Sequence, residues 1–167
     1  MKLLKVIKNK DVGFPNKKVK YRIRKAARAV LFDKNKIALL FASKLKYHKL
    51  PGGGVKKKEN IKKALAREIM EETGCTAKIK GEIGKIIEYR AKFKLKQISY
   101  CFIAEVIKKS SKPNFTKNEK SEGSKILWVP LNNAIERIEK EKPKTYDGKF
   151  KVVRELIFLR KAEEIIK

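Results

Sequence analysis

Between residues 59 and 73, Ile61, Leu65 and Ile69 recur every four positions with Ala64 beside them. That spacing lays an apolar stripe along one side of a helix. Gly74 stands where a glycine commonly ends one. Further on the period drops to two. Ile87, Tyr89, Ala91, Phe93 and Leu95 alternate with Glu88, Arg90, Lys92, Lys94 and Lys96. This is the pattern of a half-buried strand, and it leaves open whether a turn interrupts it near 92–96. Two apolar runs, 26–32 and 37–42, flank the turn-forming Asp33-Lys34-Asn35-Lys36. They predict a hairpin whose second strand is buried on both faces. Residues 98–106, rich in β-branched and aromatic side chains, read as a central strand, and 126–129 as a short strand closed by Pro130. Helical spacing returns over 131–140 and 150–166. The polar stretches 43–48, 108–123 and 143–148 are expected to be loops. The order of strands, helix, strands and helices, with no repeat and no linker, predicts a single α+β domain over 21–167, preceded by an N-terminal strand or arm over 1–20.

A chain of 167 residues can bury a proper core, and its apolar content is that of a globular protein. No apolar run approaches the roughly 20 residues needed to cross a bilayer. The basic N-terminus is too short and too interrupted in its apolar part to read as a signal peptide. Cys75 and Cys101 match no metal or redox spacing, so a reducing cytoplasm is the expected compartment. The formal net charge of +27 would favour anionic substrates. Lysine supplies 37 of the 45 basic residues, however, and is spread along the whole chain. A nucleic-acid groove would sooner cluster arginine with aromatics, so the charge reads as a solvated lysine surface.

The strongest chemical signal is the crowding of Glu68, Glu71 and Glu72 on one flank of the predicted helix. These like charges repel by a few tenths of a kcal/mol per pair. A hard divalent cation would offset that, since Mg²⁺ takes one or two carboxylates together with phosphate oxygens and water. The preceding Gly52-Gly53-Gly54 offers backbone that can approach an ion or phosphate closely. Arg67 can pair with a neighbouring carboxylate.

The full spacing is more specific than the cluster. Gly53, Glu59, Arg67-Glu68, Ile69, Glu71-Glu72 and Gly74 stand in the register of the Nudix box, and the stretch resembles that box in all seven fixed letters. Only the final aliphatic position departs, with Cys75 in its place. By residue frequencies such a coincidence is of the order of one in a million. The resemblance implies an α/β/α sandwich with a mixed sheet and an enzyme of the Nudix hydrolase type. Such enzymes use Mg²⁺ or Mn²⁺ to hydrolyse nucleoside diphosphates linked to another moiety. Carried over position by position, it implies Glu71 and Glu72 as metal ligands and Glu68 as ligand or general base. The Gly53 carbonyl would be a further ligand, with Glu59 and Arg67 in support. Glu122 resembles the loop carboxylate of the 8-oxo-dGTP diphosphatases, with Glu119 as its rival. Glu105 is a weaker candidate on the central strand.

The expected substrate is a nucleoside triphosphate, oxidised or not. ADP-ribose, a dinucleoside polyphosphate or an RNA 5′ end are alternatives within the same chemistry. Nucleic acid is otherwise not an expected partner, nor is a membrane, and a homodimer is an open option. The reading from another class is a non-catalytic nucleotide- or RNA-binding module, against which the intact box argues. His48, the only histidine, and Lys56-Lys57-Lys58 read as structural or solvated. Tyr47, Tyr89, Phe93 and Trp128 read as core.

Overall fold

Two long strands, β2 (Arg22–Asp33) and β7 (Leu95–Lys109), lie side by side in parallel and form the middle of the sheet in the computed structural model, which describes residues 1–167. The other strands are β1 (Leu3–Ile7), β3 (Lys36–Ala42), β4 (Tyr47–Lys49), β5 (Gly52–Gly54), β6 (Cys75–Arg90) and β8 (Ser124–Val129). The sheet runs β1-β6-β7-β2-β3-β4, with β5 also on β2 and β8 also on β3. β1–β6 is parallel and the remaining pairs are antiparallel, so the sheet is mixed.

Helix α1 (Ile61–Thr73) covers one face of this sheet. Leu65 and Ile69 pack there with Ala27, Ala29 and Leu31 of β2. Helices α3 (Leu131–Glu139) and α4 (Tyr146–Ile166) cover the other, where Phe150, Phe158 and Ile135 meet Val30, Ile37 and Ile86. Successive residues of β2 thus alternate between two cores, which explains why the run 26–32 is apolar at every position but Arg28, which turns into the site. The architecture is the expected α/β/α sandwich.

The local differences from the sequence reading have identifiable causes. Asn60 caps α1 by accepting from the Lys63 amide at 2.8 Å, so Glu59 lies just outside the helix. The period-two run is broken by a 3₁₀ turn over Ala91–Phe93, with Lys94 left-handed. Residues 47–49 form a buried strand, which takes in the last two residues of the expected loop 43–48. The loop 108–123 contains a short helix, α2 (Lys117–Ser121), started by a capping box between Thr116 and Glu119. Thr145 caps α4 through the Gly148 amide, drawing 146–148 into that helix.

The predicted hairpin is the difference that matters for the site. β2 and β3 pair only at Phe32–Ile37 and Asp33–Lys36, after which β3 leaves for β8 and β4. The freed edge of β2 is taken by the glycine strand, with Ala26, Ala27 and Arg28 opposite Gly54, Gly53 and Gly52. No helix is long and apolar enough to cross a membrane.

Candidate active site

Arg67 organises the outer flank of α1. Its guanidinium donates to Glu59 through Nε at 2.9 Å and through a terminal nitrogen at 3.0 Å. It also donates to Glu68 at 2.6 Å, to Glu71 at 3.4 Å and to the Gly54 carbonyl at 3.0 Å. One cation therefore gathers three carboxylates and ties the helix to the glycine strand. The Arg67 hydrogen bonds, with one from the Lys56 amide, hold the Glu59 carboxyl down to about 2. Glu59 is thus a charged brace for Arg67 over the whole useful pH range.

Glu72 faces inward from the same helix and is fully buried. It accepts from the Gly52 amide at 2.6 Å and lies within hydrogen-bonding reach of Glu119. Burial first, and then Glu119, push Glu72 well above the usual carboxylate range. Glu119 is held below that range. Burial opposes this, but the Glu72 hydrogen bond, the Thr116 bonds and the nearby Lys49 ammonium, 3.6 Å away, outweigh it. The two carboxyls are thus pushed in opposite directions, as expected when a buried pair lies close together.

The glycines make these approaches. A Cβ on Gly53 would fall 2.5 Å from the Glu68 carboxyl, and one on Gly52 would fall 2.0 Å from the Ala27 carbonyl oxygen. Gly52 also has φ +137°, a conformation side chains rarely adopt. Gly52 joins the two sides of a cleft, with its amide donating to Glu72 and its carbonyl accepting from Arg28 at 2.6 Å.

The cleft encloses about 300 Å³ between this carboxylate wall and a wall of cations drawn from β2, β6 and α4. Deep in the second wall, fully buried Glu88 binds Arg90 at 2.7 Å and Arg154 at 3.1 Å, and accepts from Gln97 at 3.1 Å. Arg154 also pairs with buried Glu155 at 2.5 Å, and Arg90 reaches Asp147. Lys151 bonds Asp147 at 2.5 Å and the Tyr47 hydroxyl at 2.9 Å.

Of the residues singled out in the sequence, Gly53 and Glu68 line the cleft, Glu72 is buried at its edge, and Glu71 sits on the Arg67 side, partly exposed. Glu122 and Glu119 both line it, and Glu119 is the one that meets Glu72. Glu105 is exposed and pairs with Lys80. His48 is buried, stacked on Phe41 and bonded to Glu141. The cationic wall was missed. Its members are scattered from residue 24 to residue 154, and their one cue is that they are arginines in a lysine-rich chain.

No three carboxylates converge into a closed metal cage, because Arg67 stands among Glu59, Glu68 and Glu71. What is offered is partial: the close carboxyl pair Glu72 and Glu119, and Glu68 against a side-chain-free strand. Such an open set fits Mg²⁺, which keeps several waters and needs few protein ligands.

A mixed sheet between one carboxylate-bearing helix and a second helical layer, with a glycine strand feeding that helix, is the architecture of the Nudix hydrolases. The NUDIX domain is matched over residues 22–154, and the chain belongs to that family. No curated protein matches it. Among solved structures it is similar to a NUDIX hydrolase from Nitrosomonas europaea, with TM-score 0.61, 16% identity, and 80% of this chain and 88% of that one covered. It is also similar to the MutT protein from Methanosarcina mazei Go1, with TM-score 0.60, 22% identity and coverage of 90% and 100%. A third is the C. elegans Ap4A hydrolase, with TM-score 0.58, 20% identity and coverage of 87% and 100%. At these identities the likeness is one of fold.

Proposed function

We propose that this Nudix enzyme hydrolyses a pyrophosphate bond in a nucleoside diphosphate-linked substrate, with a nucleoside triphosphate as the preferred form and Mg²⁺ or Mn²⁺ as cofactor. The observation that carries the proposal is the cleft itself, where Glu68 of the box, with Glu119 and Glu122, faces buried arginines across a glycine strand.

Glu68, Glu71 and Glu72 would hold the cation with the Gly53 carbonyl, and Glu119 or Glu122 would complete the set from the α2 loop. The bound ion supplies charge stabilisation at the phosphate oxygens and lowers the pKa of bound water. Arg67 orients Glu68, whose carboxylate is the candidate base for the attacking water. The free, buried Cys75 and Cys101 accord with a reducing compartment, the cytoplasm.

The test is incubation with Mg²⁺ and nucleoside triphosphates (including 8-oxo-dGTP), ADP-ribose and dinucleoside polyphosphates, following phosphate or pyrophosphate release. Turnover of at least one member is expected, and its abolition in folded Glu71→Gln and Glu72→Gln. No turnover of any member, or full activity in both variants, would overturn the proposal.

A further inference from the structure

None of the sixteen residues lining the cleft is apolar. The aromatics that could stack on a base lie elsewhere. Tyr47 is buried under Lys151, Tyr89 packs edge-on to Tyr21, and Phe93 packs on Tyr146. The cleft walls therefore hold no aromatic ring to stack on a nucleobase.

What they do hold is arginine. The chain has eight arginines among 45 basic residues, yet four of the six basic residues in the cleft are arginines. Lysine evidently suffices for this protein's solvated surface. Guanidinium is the group for planar, two-point bonding to phosphate.

These arginines also have bonding capacity to spare. Arg28, Arg90 and Arg154 are at most 5% exposed, and the Nε of each has no partner. Arg28 is paired with no carboxylate, and its hydrogen bonds go to the carbonyls of Leu50 and Gly52. Arg24, at the mouth, donates to Gln97 at 2.6 Å and likewise has no carboxylate partner. Five cations on this wall (Arg24, Arg28, Arg90, Lys151 and Arg154) are thus met by three carboxylates, Glu88, Asp147 and Glu155. Two positive charges stand over. Burial, and then Arg28, Arg90 and Arg154, lower the pKa of Arg24; burial and then Arg154 lower that of Arg28, against the pull of Glu155, Glu72 and Glu88.

We infer that the arginine wall is a polyanion subsite that takes phosphate groups of the substrate beyond the bond that is cleaved, so that the protein selects by phosphate content and not by base. The favoured class is a chain of three or more phosphates, over a two-phosphate anhydride that ends in a neutral sugar. Arg24 is the specificity-determining residue at the mouth, where the chain of phosphates leaves the carboxylate wall. Gly54 makes room for it, since a Cβ there would fall 2.8 Å from the Arg24 guanidinium. The inference relies on the proposed hydrolysis only for where cleavage occurs.

The experiment is calorimetric titration with inorganic tripolyphosphate, ATP, GTP, CTP and ADP-ribose, with Ca²⁺ present to balance the carboxylate wall. Tripolyphosphate should bind at least fivefold tighter than ADP-ribose, and the three nucleotides should agree within fivefold. Arg24→Gln, with its thermal midpoint as a control for folding, should weaken tripolyphosphate at least fivefold, and Arg24→Lys should recover part of that loss. A nucleotide preference above fivefold, a smaller effect of Arg24→Gln, or no tripolyphosphate binding would overturn the subsite. Binding as expected with no turnover in the substrate panel would sink the enzymatic reading and leave the subsite standing; turnover without tripolyphosphate binding would do the reverse.

Discussion

Replacing Glu88 by glutamine removes one charge from the centre of the cationic wall and almost no volume. Glu88 is fully buried between Arg90 and Arg154, with Gln97 donating to its second oxygen. Arg154 would keep Glu155 and Arg90 would keep Asp147, so neither guanidinium is left wholly unpaired. Glutamine retains one acceptor oxygen but turns an amide nitrogen toward groups that already donate. Breaking a buried ion pair from one side costs about 3–5 kcal/mol, and the surviving partners place this case near 3. For a domain of this size that is a fall in Tm of about 6–12 °C. Urea denaturation at fixed m, with calorimetry, would measure it. A loss under about 1 kcal/mol would refute the reasoning, because it would put the buried cluster on a par with a surface pair. The pH dependence is a second check. Burial alone would raise Glu88, but Arg154 and Arg90 outweigh it and hold the carboxyl below its usual value. A depressed carboxylate contributes in full above its unfolded value of about 4.3, and the contribution is lost as pH falls through the folded value. The gap between wild type and Glu88→Gln should therefore be constant above about pH 5 and close in acid.

Two adjacent glycines should fail in opposite ways. In Gly53→Ala the new Cβ meets the movable end of Glu68, so stability should stay within about 1 kcal/mol while turnover falls at least tenfold. In Gly52→Ala it meets β2 backbone at a strained φ, and denaturation should show a loss above about 3 kcal/mol. Arg67→Lys keeps the charge but loses the fork that reaches Glu59, Glu68 and the Gly54 carbonyl together. Steady-state kinetics should show kcat reduced roughly 10–100-fold by misplacement of Glu68. Activity within twofold of wild type would remove Arg67 from the positioning role.

What was legible in the sequence is what is local. The α1 stripe, its glycine stop and the box spacing sit within one continuous stretch, so the helix could be placed from residues alone. The single flank expected for Glu68, Glu71 and Glu72 is split, however, with Glu68 and Glu71 on Arg67 and Glu72 turned inward to the Gly52 amide. β4 was not legible, because Tyr47 and His48 meet Lys151 and Glu141 about a hundred residues away, and Lys49 meets Glu119. The pairing of Glu72 with Glu119 had a readable cue. Thr116 and Glu119 are spaced as a capping box, which fixes Glu119 at the start of a helix while Glu122 falls at its end. The arginine wall had none of this locality. Arg24 and Arg28 come from one strand, Arg90 from another and Arg154 from the last helix. Only the sheet, split where β3 leaves β2, brings them to one side of the glycines.

The parallel pairing of β1 with β6 has a consequence for how the chain reaches this fold. Leu3 lies opposite Lys85 and Ile7 opposite Glu88, so β1 leaves the ribosome long before its partner exists. At ~5–20 residues per second the wait is about 4–16 s, far longer than a strand takes to find a wrong neighbour. Leu3, Leu4, Val6 and Ile7 would be sticky through that interval. Lys2, Lys5 and Lys8 punctuate them, the kind of charge that keeps an unpaired edge from joining another chain. Part of the lysine excess at this end is thus placed to act before there is a native state for it to decorate.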